Sequence, residues 1–297
     1  MKNLYFLIAV AVLLAGCSST KNPNGKTSKF DESIVINDRM KLLEKRMDAL
    51  NNPPKIEEEN ETKKQPQKGT QVKSENKTTT ENNVTDIHKQ FDILLKQNVS
   101  ATGNVNYAGF NVTRKTLLNY ITSLGENLPT EKWSKNEKLS YWLNAYNAIT
   151  IDLILRNWPL ESIKDIQNPW EQKYWKLGEK YYNLDEIEHK ILRKMEDARI
   201  HFGINCASFS CPPLLNEAFV SEKVDNQLTF LSKRFINDTS RNKITPDQVE
   251  ISKIFNWFSK DFKTTGSIID YLNTYSEVKI NNNARVKYMD YDWRLNN

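Results

Sequence analysis

Residues 136–157 read Asn-Glu-Lys-Leu-Ser-Tyr-Trp-Leu-Asn-Ala-Tyr-Asn-Ala-Ile-Thr-Ile-Asp-Leu-Ile-Leu-Arg-Asn, apolar on nearly every side of a helix. A helix with such a surface cannot rest on one neighbour; it must be surrounded. The spacing therefore predicts a central helix around which the rest of a domain is wrapped. Trp158-Pro159 follows and stops it, because proline drives the preceding residue out of helical geometry.

How much chain is available to wrap that helix is set by a change of composition near residue 86. From Asn51 to Thr85 the chain is Lys, Glu, Asn, Gln, Thr and Pro with almost no apolar residues, six Lys balancing six Glu. It buries too little surface to offset the entropy of ordering, so 51–85 is expected to be a disordered linker. From Asp86 onward aliphatic and aromatic residues stay dense to Asn297. The expected class is α+β: a mostly helical single domain over 86–297 with a small antiparallel sheet.

The first twenty residues give an address. Lys2, the apolar run Leu4–Leu14 and Leu14-Ala15-Gly16-Cys17 have the layout of a signal peptide over 1–16. The apolar run is too short to span a bilayer. A small-residue site ending in cysteine resembles the bacterial lipobox, so Cys17 is expected to carry a lipid anchor, palmitate included, and Ser18 fits outer-membrane sorting with the protein on the periplasmic side. Residues 17–33 read as a tether. Over 34–50, Ile36, Met40, Leu43, Met47 and Leu50 recur at spacings of four and three. That stripe is two heptads long, a short amphipathic helix rather than a sustained coiled coil. The net charge of +5 is scattered without a Lys/Arg block, which gives no footprint for nucleic acid.

Within the domain, periodicity predicts helices around Phe91, around Leu117–Leu124, over Asp185–Met195, and around 222–236 and 267–274. A hairpin is expected over Tyr174–Leu184 with its turn at Gly178-Glu-Lys180, and short strands near 102–107, 242–252 and 278–289. Ile200, Phe202, Ile204 and Cys206 alternate with Arg-, His-, Gly- and Asn-type positions across 199–206, which predicts a half-buried strand.

Chemistry is concentrated in one stretch. Asp197–Leu214 holds two of the three cysteines, Cys206 and Cys211, and one of the three histidines, His201. On an ideal strand His201 and Cys206 face opposite ways, so a couple between them requires the strand to end first. Several roles are open to the cysteines: a loop-closing Cys206–Cys211 disulfide suited to an oxidising compartment, a catalytic thiolate at Cys206, buried thiols, or metal ligation. His189, His201, Cys206 and Cys211 do not have finger or ribbon spacing, so neither metal nor cofactor is expected. His189 falls on the polar side of its helix. Glu188 falls at the edge of the apolar side, as a structural anchor or a tuned acid/base. Asn144 and Asn147, on the central helix, either bridge it to loop backbone or orient a catalytic imidazole. The aromatic residues at 170, 174, 175, 181 and 182 either line a sugar or peptide groove or belong to the core.

Tyr141-Trp-Leu-Asn-Ala-Tyr-Asn-Ala148, Leu184-Asp-Glu-Ile-Glu-His189, His201-Phe-Gly-Ile-Asn-Cys-Ala-Ser-Phe-Ser-Cys-Pro-Pro213, Ile251-Ser-Lys-Ile-Phe-Asn-Trp257 and Tyr288-Met-Asp-Tyr-Asp-Trp-Arg-Leu-Asn296, in that order, resemble the DUF547 family. The resemblance covers 86 to the end and brings no established activity. The family's Cys- and His-bearing motifs look like those of remote relatives of papain-like or transglutaminase-like cysteine enzymes, an analogy at the level of fold. Two functions are carried forward. One is a lipid-anchored envelope protein acting as a thiol-dependent hydrolase or acyl transferase on a peptide or amide, with Cys206 as nucleophile, His201 or His189 as base, and Asn144, Asn147 or Glu188 as orienting groups. The other is a non-catalytic module that binds an envelope protein, peptide or glycan and uses Cys206–Cys211 as a staple.

Overall fold

The computed structural model describes residues 87–264 and 266–297. The expected signal peptide, lipidated Cys17, tether, 34–50 helix and 51–85 linker lie outside the described residues. Four helices come first: α1 (Lys89–Asn98), α2 (Tyr107–Val112), α3 (Arg114–Glu126) and α4 (Lys135–Arg156). Helix α4 is the predicted central element, and its side chains are buried without a break from Leu139 to Leu155. It starts at a capping box: the Ser134 hydroxyl accepts from the Glu137 N–H, and the Glu137 carboxylate accepts from the Ser134 N–H. Helices α2 and α3 pack against it, and α1 packs on those two.

Burial makes partners valuable to the polar side chains of α4, although the Ser140 hydroxyl goes without one. Asp152, fully shielded from solvent, accepts from Arg114 Nε at 3.0 Å, Arg156 Nε at 2.7 Å and Trp175 Nε1 at 2.7 Å. This carboxylate thereby ties α4 to α3 and to the following hairpin, β1 (Trp175–Leu177) and β2 (Lys180–Tyr182). The hairpin is antiparallel with Leu177 opposite Lys180, so its turn tightens to Gly178-Glu179. Gly178 has φ +60°, the left-handed conformation that a two-residue turn requires and that glycine accepts without strain.

The helix expected over 185–195 is one helical stretch that changes its winding. It begins as α5 (Leu184–Glu186), capped by the Asn183 side chain, widens into a π turn over Ile187–Ile191 and tightens into a 3₁₀ turn over Leu192–Met195. All three segments touch α4.

The strand predicted across 200–206 does not form. Ile200–Gly203 is a one-turn helix, α6, followed by extended chain. Every residue from Ile200 to Asn205 is buried, so the apparent alternation carried no inside–outside signal. A sheet partner is replaced by Asn147 on α4, whose Nδ2 donates to the Gly203 carbonyl at 2.9 Å and whose Oδ1 accepts from the Asn205 N–H at 2.9 Å. A β-carbon at Gly203 would meet terminal methyls of Leu228 and Leu143 at about 3 Å, so those side chains would have to shift to admit it.

Helix α7 (Val224–Ile236) packs on α4 and α6. Strands β3 (Lys243–Ile244), β4 (Gln248–Ile251) and β5 (Arg285–Tyr288) form a second small sheet. It is antiparallel between β3 and β4 and parallel between β4 and β5. Between β4 and β5 lie the short helices α8 (Ile254–Trp257), α9 (Ser259–Phe262) and α10 (Ile268–Tyr275). The strand expected near 102–107 is reduced to a single bridge, Val99 to Val105, before α2 begins. No helix among the described residues is long and apolar enough to cross a membrane.

Residues 291–296 thread between distant segments. Leu295 N–H donates to the Glu161 carbonyl, Phe209 N–H to Arg294, Ser210 N–H to Asp292, and Asn296 N–H to Ala207. Val105 N–H in turn donates to Asn296. This clamp fixes the loop that follows Cys206.

Removing the Asp152 carboxylate leaves two guanidinium groups and a buried indole N–H without their acceptor. Asp152→Ala is expected to cost roughly 3 kcal/mol, read as a lower urea midpoint. Trp175→Phe, which deletes one donor, is expected to cost about 1 kcal/mol.

Candidate active site

The chemistry-bearing residues converge on a single cleft of about 360 Å³, lined by Glu188, His189, His201, Cys206 and Cys211 together with Trp170, Trp257, Phe258, Tyr291 and Trp293. Its dimensions fall within the range of small-molecule sites. Three elements supply its histidines, its cysteines and Glu188: the π turn gives Glu188 and His189, α6 gives His201, and the loop after α6 gives the cysteines.

Cys206 stands half-buried in the cleft wall, and both it and Cys211 are free thiols. The Cys206 sulfur lies 3.3 Å from the Tyr291 hydroxyl and 3.1 Å from that of Ser208. Ser208 donates to Tyr291 at 2.9 Å, which leaves the Tyr291 proton for the sulfur. The Cys206 N–H donates to Cys211 Sγ at 3.1 Å. Hydrogen bonding from Cys211 is the largest influence on the Cys206 thiol; with the Tyr291 hydroxyl it pulls the pKa below the ordinary value, against the opposing effect of burial. Burial pushes the Cys211 thiol well up, so Cys211 keeps its proton and Cys206 is the sulfur that ionises. The next residue, Ala207, is fully buried with φ +63°, a left-handed conformation that costs an alanine energy and is held by the 291–296 clamp.

His201 is 3 % exposed and stacks on Phe258 with ring centroids 3.9 Å apart. Its Nε2 lies 2.8 Å from Asp261 Oδ2. Asp261 also takes a two-pronged contact from Arg193, Nε to Oδ2 at 2.6 Å and Nη2 to Oδ1 at 2.8 Å. Burial alone would raise the Asp261 pKa, but the hydrogen bonds from His201 and Arg193 hold it well below the carboxylate range. An ionised carboxylate only accepts, so Nε2 carries the imidazole proton. Burial lowers the His201 pKa and keeps the ring neutral, which leaves a lone pair on Nδ1. That atom is buried without a hydrogen-bond partner, 3.9 Å from Glu188 Oε1.

Glu188 is buried and accepts from the Tyr146 hydroxyl at 3.2 Å. Burial, reinforced by the charge of Cys206, pushes its pKa up to about 7. His189 stands at the rim. Its Nδ1 is 3.0 Å from Arg193 Nη1, a donor, so Nδ1 accepts and Nε2 carries the proton, 3.5 Å from Asp185.

Cys206, His201, His189 and Glu188 are thus brought together, although among the described residues no hydrogen bond joins Cys206 to either imidazole. Asn144 and Asn147 touch neither ring. Asn144 exchanges two hydrogen bonds with the Phe219 backbone, at 2.8 and 2.9 Å, and Asn147 holds the α6 backbone. The group that orients His201 is Asp261, which the sequence reading did not select, and it likewise passed over Tyr291, Ser208 and Tyr146. Of the five aromatic positions expected in a groove or the core, Trp170 is in the cleft wall, while Trp175 is buried beside Asp152. The described residues contain no cluster of His, Cys, Asp and Glu able to hold a metal ion.

Residues 130–236 match the model of a family described as a protein of unknown function, DUF547. That span holds three of the five motifs on which the resemblance rests; Asp261 and Tyr291 lie beyond it. No curated protein and no solved structure matches the chain.

Glu188 couples stability to pH. Its ordinary value is 4.5 and its folded value about 7, so as pH rises through this window the acid ionises in the unfolded chain but stays protonated in the folded one. Stability is therefore present below the window and lost across it, by on the order of 3 kcal/mol. Glu188→Gln keeps the Tyr146 acceptor and removes the loss. The variant is expected to match the parent at pH 4.5 and exceed it in urea unfolding at pH 8.

Proposed function

We propose that the protein is a lipid-anchored cell-envelope enzyme that hydrolyses or transfers an acyl group of a peptide or amide through Cys206. The observation that carries this reading is the opposed tuning of two acids in one cleft: a thiol hydrogen-bonded toward its thiolate, and a buried carboxyl held protonated near neutral pH. Such a pair supplies a nucleophile and a proton donor at the same pH.

In the proposed reaction the Cys206 thiolate adds to the amide carbon and forms a C–S bond. As the C–N bond breaks, the departing amine takes the Glu188 proton and a thioester remains. Water, or a second amine in transfer, then attacks the thioester and returns its proton to the Glu188 carboxylate while sulfur leaves as thiolate. Asp261 acts as a positioning residue through His201, whose Nδ1 lone pair receives a donor from the bound substrate. The Leu14-Ala15-Gly16-Cys17 site supports the anchor and the envelope address.

Iodoacetamide labelling of the full chain, followed residue by residue by mass spectrometry, tests the thiol. Cys206 is expected to react without prior reduction and Cys211 to stay inert, with the pH midpoint of Cys206 below that of an ordinary thiol, about 8.5. Tyr291→Phe is expected to move that midpoint up by about one unit. Reaction only after reduction would mean a Cys206–Cys211 disulfide and favour the non-catalytic binding module. Cys206→Ser is expected to lower turnover of p-nitrophenyl acetate by at least about 10³-fold. In bacterial cells fed radiolabelled palmitate, Cys17→Ser is expected to abolish labelling of the protein.

A further inference from the structure

The charge of the cleft is one-sided. Glu171 and Asp185 line it, Cys206 adds a thiol inclined to ionise, and neither lysine nor arginine is among its walls, although the chain carries a net charge of +5. Two cations stand close to lining residues without lining the cleft themselves. Arg193 lies 5.6 Å from the Phe258 ring and is held by Asp261, and Lys164 lies 5.2 Å from the Trp293 ring without entering the cleft. An anionic ligand would meet like charge there with no countercharge to receive it.

A second, independent observation points the same way. His201 Nδ1 is a buried acceptor with no partner on the chain. Its tautomer is fixed by Asp261, so only a donor satisfies it. Glu188 Oε1, 3.9 Å away, is close enough for one donor nitrogen to serve both atoms. The cleft is also lined with aromatic rings: Trp257 lies 4.8 Å from Tyr291 and 5.8 Å from Trp293, and Trp293 lies 5.8 Å from Trp170. Acidic side chains and clustered aromatic rings lining one cleft are the combination that selects an organic cation.

We propose that the cleft recognises a primary ammonium group, so that the substrate brought to Cys206 is an amine-bearing peptide or amide. This rests on the thiol reading of the same cleft and adds the chemical class of what enters it. The ammonium donates to the acidic rim and to the unfilled His201 acceptor while its alkyl chain lies along the tryptophans.

Cadaverine, its neutral counterpart 1,5-pentanediol and its anionic counterpart glutarate are the probes, titrated into the full chain and into the Cys206→Ser chain. Binding is read by calorimetry and by the fluorescence of the cleft tryptophans. Cadaverine is expected to bind both chains at least about tenfold more tightly than the diol, with glutarate weakest. Glu171→Gln and Asp185→Asn, both at the open rim, are each expected to weaken cadaverine by about three- to fivefold and leave the diol unchanged. Equal affinity for cadaverine and diol, preference for glutarate, or absence of cadaverine binding overturns the inference. Iodoacetamide reactivity separates the two readings: a reactive Cys206 in a cleft indifferent to cations removes this inference alone, whereas an inert Cys206 beside a cation-selective cleft removes the thiol chemistry.

Discussion

The amide of Asn147 is the joint on which the site hangs. It projects from a helix buried without a break from Leu139 to Leu155, and both of its ends are committed to the backbone of one segment, Gly203 and Asn205. A buried amide that lost these bonds would keep its desolvation penalty, so the segment is held to the helix by more than apolar contact. Asn144, three residues earlier, does the same for Phe219 at the far end of the cysteine loop. His201 and Cys206 therefore inherit their positions from the long buried helix α4. Precision of this kind is needed where reacting groups must be held to a fraction of an ångström.

Around that scaffold the electrostatics are ordered by Arg193. Its guanidinium holds Asp261 on one side and His189 on the other, and through them sets the proton position on two imidazoles. Both rings end up neutral with a defined donor and a defined acceptor. Cys206 and Glu188, which share the cleft beyond them, are displaced in opposite directions from their ordinary acidity. Hydrogen bonds dominate for the sulfur and desolvation for the carboxyl.

The parts legible in the sequence were those with a long or dense signal. Twenty-two residues of unbroken helical pattern announced the core helix, and the clustering of rare Cys and His pointed to the cleft. Glu188 was picked out because a carboxylate beside an apolar stripe is costly. What could not be read depends on contacts over long separations. Asp261 sits 60 residues from His201 on a four-residue helix and carries no local mark of its partner. Tyr291 lies in a motif that marked the family resemblance but gave no hint of a bond to sulfur 85 residues away. The mistaken strand has a related cause: where every residue of a segment is buried, periodicity says nothing, and a side chain from another helix decides the conformation.

The clamp formed by residues 291–296 bears on what kind of property the acidity of Cys206 is. The hydroxyl that donates to the sulfur, the left-handed turn beside it and the second thiol are held by backbone bonds reaching to residues 105, 161 and 207–210, spread over most of the domain. An excised peptide carrying the whole cysteine motif would contain an ordinary thiol. Likewise, a chain that has lost its tail packing while keeping its helical core would be chemically quiet. The lowered pKa of Cys206 is in this sense a reporter of complete folding, present only when the most distant parts of the domain have met, which spares a partly folded chain from indiscriminate alkylation or oxidation.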